Sequence, residues 1–352
     1  VERIPISPHT LAIETRALTK SYGEVTSLVD CNLHVPVGQV YGLLGANGAG
    51  KTTLIRTLLG FIRPTSGTAL ICGFDIVKES LRVREQVSYL PADARLYRSM
   101  RGTQVLELFA GLHRHGDLDR SRQVAKRLEL DVQRRVMFMS TGMRQKLAIA
   151  VVLGCDSPLV ILDEPTANLD PNVRGEVLAL IREIRQRGNT VLLSSHIFSD
   201  IDEACDQVGV IRSGKLVVEQ DMAKLQQMHI VQAKSRRPES SLPSEPLIAG
   251  EPLIAGEPLI AGESSVTSEP APPQPNFVES YDVNDSQVIL QLSGSPSHWL
   301  PWLAAQSLDV LNIEKGGIEA VYNRYAHAAI GDQKINVVDH AKDPRICRSG
   351  SC

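Results

Sequence analysis

The sequence predicts an α/β fold: a mainly parallel sheet carrying a helical insertion, followed by a flexible linker and a small α+β domain. Three observations predict it. Short apolar runs at Gln39–Leu44, Leu159–Leu162 and Thr190–Ser195 are bounded by polar or turn residues, as strands buried on both faces of a parallel sheet are. Between the first two, Leu96–Ala150 is rich in helix formers and poor in β-branched runs. After Ala233 the character changes, and Pro, Ser, Glu and Gly dominate Ser235–Gln274, too little apolar surface to offset chain entropy.

Taken in chain order, residues 1–230 are expected to form the sheet domain, with the helical subdomain at about 92–150. Residues 231–275 are expected to be a low-complexity linker, containing the hexapeptide EPLIAG three times over Glu245–Gly262. A hexapeptide period also suits a β-helix, but such solenoids need more repeats and terminal caps, so the expectation is an expanded linker whose Leu-Ile pairs offer some docking capacity. Order is expected to return over 276–330, with strands at Gln287–Leu292 and Val310–Glu314 and helices at Trp299–Gln306 and Gly317–Tyr325. Residues 331–352 read as a disordered tail.

Composition narrows the function classes. The 352 residues carry a net charge of −3 with acids and bases interspersed, so no nucleic-acid partner is expected. The six cysteines lack metal-ligand spacing. Cys31, Cys72, Cys155 and Cys205 lie in apolar or mixed segments, as core thiols of a reduced protein do, whereas Cys347 and Cys352 sit in the polar tail. No segment approaches the roughly 18 consecutive apolar residues of a membrane helix, and VERIPISPHT has no signal-peptide core. The expectation is a soluble chain whose membrane part, if its process needs one, is supplied by another chain.

The motif GANGAGKTT, Gly45–Thr53, follows the apolar run Gln39–Leu44 and precedes the helical LIRTLLG, the strand–loop–helix context of a phosphate-binding loop. A P-loop NTPase core follows from it. Gly45, Ala46, Asn47, Gly48, Ala49 and Gly50 curl the backbone so that its N–H groups face phosphate, and the following helix adds its positive end. Lys51 reaches the β and γ phosphates, Thr52 offers a hydroxyl to Mg²⁺, and Thr53 completes the loop. LVILDEP, Leu159–Pro165, is a buried strand delivering two acids at its C-terminal end, where ligands bind in open α/β sheets. Asp163 is expected to hold Mg²⁺ through water, and Glu164 to orient or deprotonate the attacking water. His196 follows TVLLSS. Taken alone a histidine there is incidental, but a strand neighbouring that of Asp163 brings it to the γ-phosphate edge.

MSTGMRQKLAIA, Met139–Ala150, places Ser-x-Gly at a loop-to-helix junction; alone it reads as an N-cap, Ser140, opening an amphipathic helix. With GANGAGKTT, LDEP, Asn168-Leu169-Asp170 and Ser195-His196 in this order, the chain resembles the ATP-binding-cassette ATPases from Leu11 to about Gln220. The resemblance implies that two cassettes face head to tail and sandwich two ATP molecules. Ser140 and Gly142 would then bind the γ-phosphate held by the opposite subunit, and Asp170 would link the two sites. Tyr22 matches the aromatic residue stacked on adenine, though by itself it reads as a half-exposed strand-end tyrosine. His196 matches the switch histidine.

Two departures stand out. STGM replaces the family's commoner SGGQ, putting Thr141 and Met143 where a glycine and a glutamine usually stand. In VSYLPADARLY, Val87–Tyr97, Ala92 occupies the place of the glutamine that touches Mg²⁺ and the membrane subunit, with Asp93 a weak substitute. YLPxDxxLY, STGMRQKLA and the C-terminal GGIEAVYNRY resemble exporters of the multidrug, antibiotic-resistance or polysaccharide class, whose cassette is a chain separate from its permease. The implied assembly is a homodimer, or a heterodimer with a second cassette, bound to a membrane permease subunit. Its implied location is cytoplasmic, peripheral on the inner face of the cell membrane, with ATP and Mg²⁺ as cofactors.

Three alternatives stay open: a soluble cassette ATPase acting on ribosomes or DNA, an importer or regulator, and a catalytically silent subunit. The first generally needs two cassettes, a coiled coil or zinc hooks, for which the chain offers one motif set, no heptads and no CxxC.

Overall fold

The computed structural model describes residues 11–235, 277–284, 287–306, 308–319, 321–322 and 336–337. The chain divides into two compact units, Val1–Met222 and Ala223–Cys352.

A six-stranded sheet organises the first unit, in the order Lys215–Asp221, Gln207–Arg212, Val40–Leu44, Thr190–Ser195, Leu159–Asp163, Val87–Leu90. Lys215–Asp221 runs antiparallel to its neighbour, and the remaining pairings are parallel. The three runs expected to be strands are strands, and each is buried along its whole length. That burial is why they read as continuous apolar runs rather than alternating ones. Register pairs Leu44 with Ser195, Asp163 with Ser194 and Leu90 with Leu162. The chain therefore leaves the sheet into Gly45, His196, Glu164 and the Ala92 loop at one common edge, as parallel strands require.

A second, antiparallel sheet has the order Val25–Cys31, Leu11–Tyr22, Ser66–Ile71, Phe74–Asp75, with His34–Pro36 also paired to Leu11–Tyr22. Sequence patterning does not reveal the long strand Leu11–Tyr22. Bulges break its register with each of its three partners, and Ala17 has φ 47°, so its side chains do not alternate cleanly. The two sheets share one core with the helix Lys51–Leu58, including Leu43, Leu54, Ile55, Leu58, Ile161, Leu192 and Ile211. Each such fully buried aliphatic side chain contributes about 1.5–3 kcal/mol.

The helical insertion comprises Gly102–Leu112, Leu118–Arg127, the 3₁₀ turn Val136–Phe138 and Thr141–Leu153. Asp117 caps Leu118–Arg127 by accepting from the Arg120 N–H, with Lys126 and Arg127 in its last turn complementing the helix dipole. Arg127 also reaches Glu176 and Glu183 of the helix Pro171–Gln186, at 2.6 and 2.7 Å, fastening the insertion to the sheet domain.

The second unit is a five-stranded antiparallel sheet in the order Leu308–Lys315, Met228–Ser235, Gln287–Ser293, Val278–Asn284, Asn336–Val337. The helix Pro296–Ala305 lays Trp299 and Leu303 on Val231, Val278, Val288, Leu290 and Leu292. The boundary expected at residue 230 falls inside the strand Met228–Ser235, which is interior to this sheet. Its buried Val231 and Ala233 alternate with polar neighbours, a signal masked by the Pro-rich sequence that follows. The helix begins at Pro296, three residues before the expected start, because Ser295 and Pro296 supply N-cap and N1 positions. Of the expected helix Gly317–Tyr325, residues 318, 319, 321 and 322 are helical. The EPLIAG repeats and the two tail cysteines lie outside the described residues; within the tail expected to be disordered, Asn336–Val337 is instead a short strand, held by pairing with Ser280 and Tyr281 of Val278–Asn284. Cys31, Cys72, Cys155 and Cys205 are free thiols, and burial raises Cys31 and Cys72 to about 11, which keeps them unreactive.

Candidate functional site

The sheet edge gathers the residues that the motifs single out. After Leu44 the chain turns sharply at Gly45, where an added Cβ would lie 2.5 Å from the Ile211 carbonyl oxygen. It enters the helix Lys51–Leu58 through Gly50, whose φ of 113° is open only to glycine and whose added Cβ would meet the Ser27 carbonyl oxygen at 2.8 Å. Gly50→Ala is expected to destabilise the chain by about 1–3 kcal/mol through this strain, lowering its midpoint of thermal unfolding; an unshifted midpoint would contradict it. No side chain caps the helix, so its first N–H groups are left to the kind of anion that helix N-termini bind. Ala46, Asn47 and Gly48 are exposed at its crest, Ala49 is buried, and Thr53 is half-buried on the helix.

Lys51 is buried, its Nζ donating to the Gly45 carbonyl oxygen at 2.6 Å and the Ala46 carbonyl oxygen at 3.3 Å. The ammonium is also 3.1 Å from Glu164 Oε1. Among the described residues no donor is aligned on that oxygen for a hydrogen bond, so the attraction is Coulombic. Thr52 donates its hydroxyl to Asp163 Oδ2 at 2.9 Å, and Ser194 donates to Asp163 Oδ1 at 2.6 Å. A hydroxyl and a buried carboxylate thus converge, a pair of hard oxygen donors whose chemistry fits Mg²⁺.

Glu164 follows at φ 53°, a left-handed conformation costing a non-glycine residue about 1–2 kcal/mol. Its N–H approaches both the carbonyl and the hydroxyl oxygen of Ser194, at 3.1 and 3.2 Å, which holds the turn. Its other carboxylate oxygen, Oε2, lies 2.7 Å from His196 Nδ1. His196 is 45% exposed at the side chain whereas Glu164 is 13% exposed, so the imidazole stands between the carboxylate and solvent. Lys51, Thr52, Asp163, Glu164 and His196 therefore form one cluster.

The comparisons with known proteins agree with this geometry. The family model described as ABC transporter matches residues 28–167. The bacitracin transport ATP-binding protein of Enterococcus faecalis is 37% identical over 219 residues, covering 60% of this chain and 70% of that protein. The daunorubicin/doxorubicin resistance ATP-binding protein of Streptomyces peucetius is 35% identical over 215 residues, covering 60% and 65%. The chain belongs to the ATP-binding-cassette transporter family. Among solved structures, an ATP-binding subunit of an ABC transporter matches with a TM-score of 0.55 at 28% identity, over 60% of this chain and 90% of that one. A dimeric cassette bound to ADP and phosphate matches at the same TM-score and 21% identity, over 60% and 98%, a likeness of fold. The chain is accordingly an ATP-binding, ATP-hydrolysing subunit of a transporter. Proteins of this family work as cassette dimers with membrane permeases.

The cassette places other expected residues away from the cluster. Ser140 is the exposed N-cap of Thr141–Leu153, its hydroxyl oxygen accepting from the Met143 N–H at 3.2 Å. Gly142 packs so near the Asn168–Asp170 segment that an added Cβ would lie 3.3 Å from the Asn168 carbonyl oxygen. Asp170 caps Pro171–Gln186 through its backbone, leaving its side chain unused by the helix. Among the described residues, no hydrogen bond or ion pair joins Ser140, Gly142, Asp170 or Tyr22 to the cluster. Tyr22 is 47% exposed, with Lys20 Nζ 4.9 Å from its ring centroid. Ala92 and Asp93 are exposed beyond the strand Val87–Leu90, and Asp93 pairs with Arg95 at 3.1 Å.

Sequence reasoning missed Ser194, Asp200 and Gln145. Gln145 is buried and donates from its side-chain amide to the Pro165 carbonyl oxygen at 3.0 Å, bracing the turn after Glu164. Ser194 left a signal, a polar residue inside a buried apolar strand. Gln145 and Asp200 left none, because each sits among other polar residues on a helix and only the fold buries it.

Proposed function

We propose that the chain powers export through a separate membrane permease, hydrolysing ATP at sites completed between two cassettes. The observation that carries this reading is the single cluster of Lys51, Thr52, Asp163, Glu164 and His196 at one sheet edge. Lys51 and the backbone of Gly45–Gly50 bind the phosphates, with Thr53 on the following turn. Thr52 and Asp163 would hold Mg²⁺, which when bound supplies charge neutralisation at the β and γ phosphates. Glu164 accepts a proton from the attacking water, and His196, hydrogen-bonded to its other oxygen, keeps the carboxylate aimed. Tyr22 stacks on adenine from its exposed face. Ser140 and Gly142 of one cassette, with the N-terminus of their helix, complete the site of the other, and Asp170 joins the two sites.

Export is favoured by the relatives, which are named for bacitracin transport and daunorubicin/doxorubicin resistance. No helix among the described residues is long and apolar enough to cross a membrane. The partner permease and the peripheral position on the inner membrane face belong to the same reading as export and rest on the relatives. Residues 276–330 with the strand Met228–Ser235 serve as an accessory domain. The chain purified from membranes is expected to bring a polytopic permease with it. A soluble substrate-binding protein in that complex would argue for import instead. Chelation with EDTA is expected to reduce ATPase turnover to background and Mg²⁺ to restore it, measured as phosphate release. Turnover that persists in EDTA would remove the metal role from Thr52 and Asp163.

A further inference from the structure

A second group of polar residues lies behind the cluster, centred on a carboxylate that the reading above does not use. Asp200 is 0% exposed and accepts hydrogen bonds from three segments. Thr166 Oγ1 donates to its Oδ2 at 2.7 Å and Ser195 Oγ to the same oxygen at 3.1 Å. Arg174 Nε donates to Oδ1 at 2.5 Å, and its Nη2 reaches Ser199 Oγ at 2.5 Å. Thr166 and Ser195 are themselves buried, at 3% and 0% exposure. The Ile197 N–H also donates to Ser195 Oγ at 3.0 Å, so the hydroxyl bridges the carboxylate and the backbone just past His196.

The three donors stand next to the reacting groups. Thr166 is two residues after Glu164, Ser195 immediately precedes His196, and Arg174 lies in the first turn of the helix that Asp170 opens. Without Asp200 the buried Thr166 hydroxyl would lose its partner, Ser195 would keep only the Ile197 N–H and the half-buried Arg174 only Ser199, so the network is complete only with all three segments in register. Glu164 sits in a left-handed turn and His196 at a free strand end, and neither conformation is fixed by its own strand.

We propose that Asp200, tied to Arg174, is the positioning residue that sets Glu164 against His196 and couples both to the Asp170 segment. The proposal rests on the assignment of Glu164 and His196 to hydrolysis. Removing the charge of Asp200 frees Thr166 and Ser195 to turn, and the 2.7 Å contact between Glu164 and His196 loosens while the phosphate loop is untouched. The loss therefore falls on kcat and spares ATP binding.

The test uses the purified full chain with Asp200→Asn, His196→Ala, the double variant and Glu164→Gln, each measured for kcat and KM for ATP. Asp200→Asn is expected to lower kcat about tenfold or more with KM within about threefold. In the double variant the two losses are expected not to multiply, since Asp200 acts through His196 and Glu164. Multiplying losses, or a kcat unchanged beside an inactive Glu164→Gln, would overturn the positioning role and leave the assignment of Glu164 standing. Full turnover in Glu164→Gln would instead overturn that assignment. Should Asp200→Asn fail to fold, Thr166→Val removes one donor from the same carboxylate, and the same cycle with His196→Ala decides the matter.

Discussion

Replacing Glu164 by glutamine is expected to lower ATPase turnover by a factor of about 10²–10⁴, the range that loss of a general base produces. The substitution keeps the size of the side chain and asks no more of the left-handed backbone at φ 53° than glutamate does. Its amide still pairs with His196 Nδ1, which lies 2.7 Å from Oε2 in the parent. What disappears is the negative charge facing Lys51 Nζ at 3.1 Å and the capacity to take a proton from water. Because Lys51 keeps its carbonyl partners at Gly45 and Ala46, the loop retains its shape, and ATP affinity should hold. Steady-state phosphate release with parallel nucleotide-binding measurements separates these effects. Turnover within about twofold of the parent would remove Glu164 from the role of base.

The separation between binding and chemistry also explains what could be read from sequence. Asp163 and Glu164 were legible because a buried parallel strand is mainly apolar, so two acids at its end stand out, whereas Lys51 and Thr52 were legible from the glycine-rich run Gly45–Thr53 between strand and helix. The placement of His196 followed from the same logic, since Thr190–Ser195 lies beside Leu159–Asp163 in register. The antiparallel strand Leu11–Tyr22 was not legible, because its bulges destroy the period that would mark it. The strand Met228–Ser235 was cut because its partners Gln287–Ser293 and Leu308–Lys315 lie more than fifty residues away, across the Pro-rich segment. Asp200 was invisible for a related reason. In SSHIFSDIDEA it is one of several acids on a short helix, and only the fold buries it against Thr166, Ser195 and Arg174. Residues that act at a strand end announce themselves by contrast with the strand, whereas those that brace them do not.

Ser140 poses the opposite case, a residue legible by motif whose partners are absent from its own cluster. In one chain it is an exposed helix N-cap with no bond to Lys51 or Glu164. A site completed in trans makes a sharp prediction for mixtures of two inactive variants. Lys51→Ala removes the phosphate-binding ammonium, and Ser140→Leu removes the hydroxyl that the opposite site would use. Ser140→Leu also forfeits an N-cap, costing about 1 kcal/mol, which thermal unfolding can register independently. Head-to-tail pairing of one of each puts both defects into one site and leaves the other with an intact Lys51 and an intact Ser140. With random pairing half the dimers are mixed and each has one sound site, so an equimolar mixture is expected to regain about one quarter of parent turnover. Were Ser140 to act on its own chain's phosphates, every site in the mixture would carry one defect and no activity would return. Phosphate release from the mixture, against each variant alone, distinguishes the two arrangements. A recovered fraction would also require that one sound site can fire beside a dead one, which sets how tightly the Asp170 segments couple the pair.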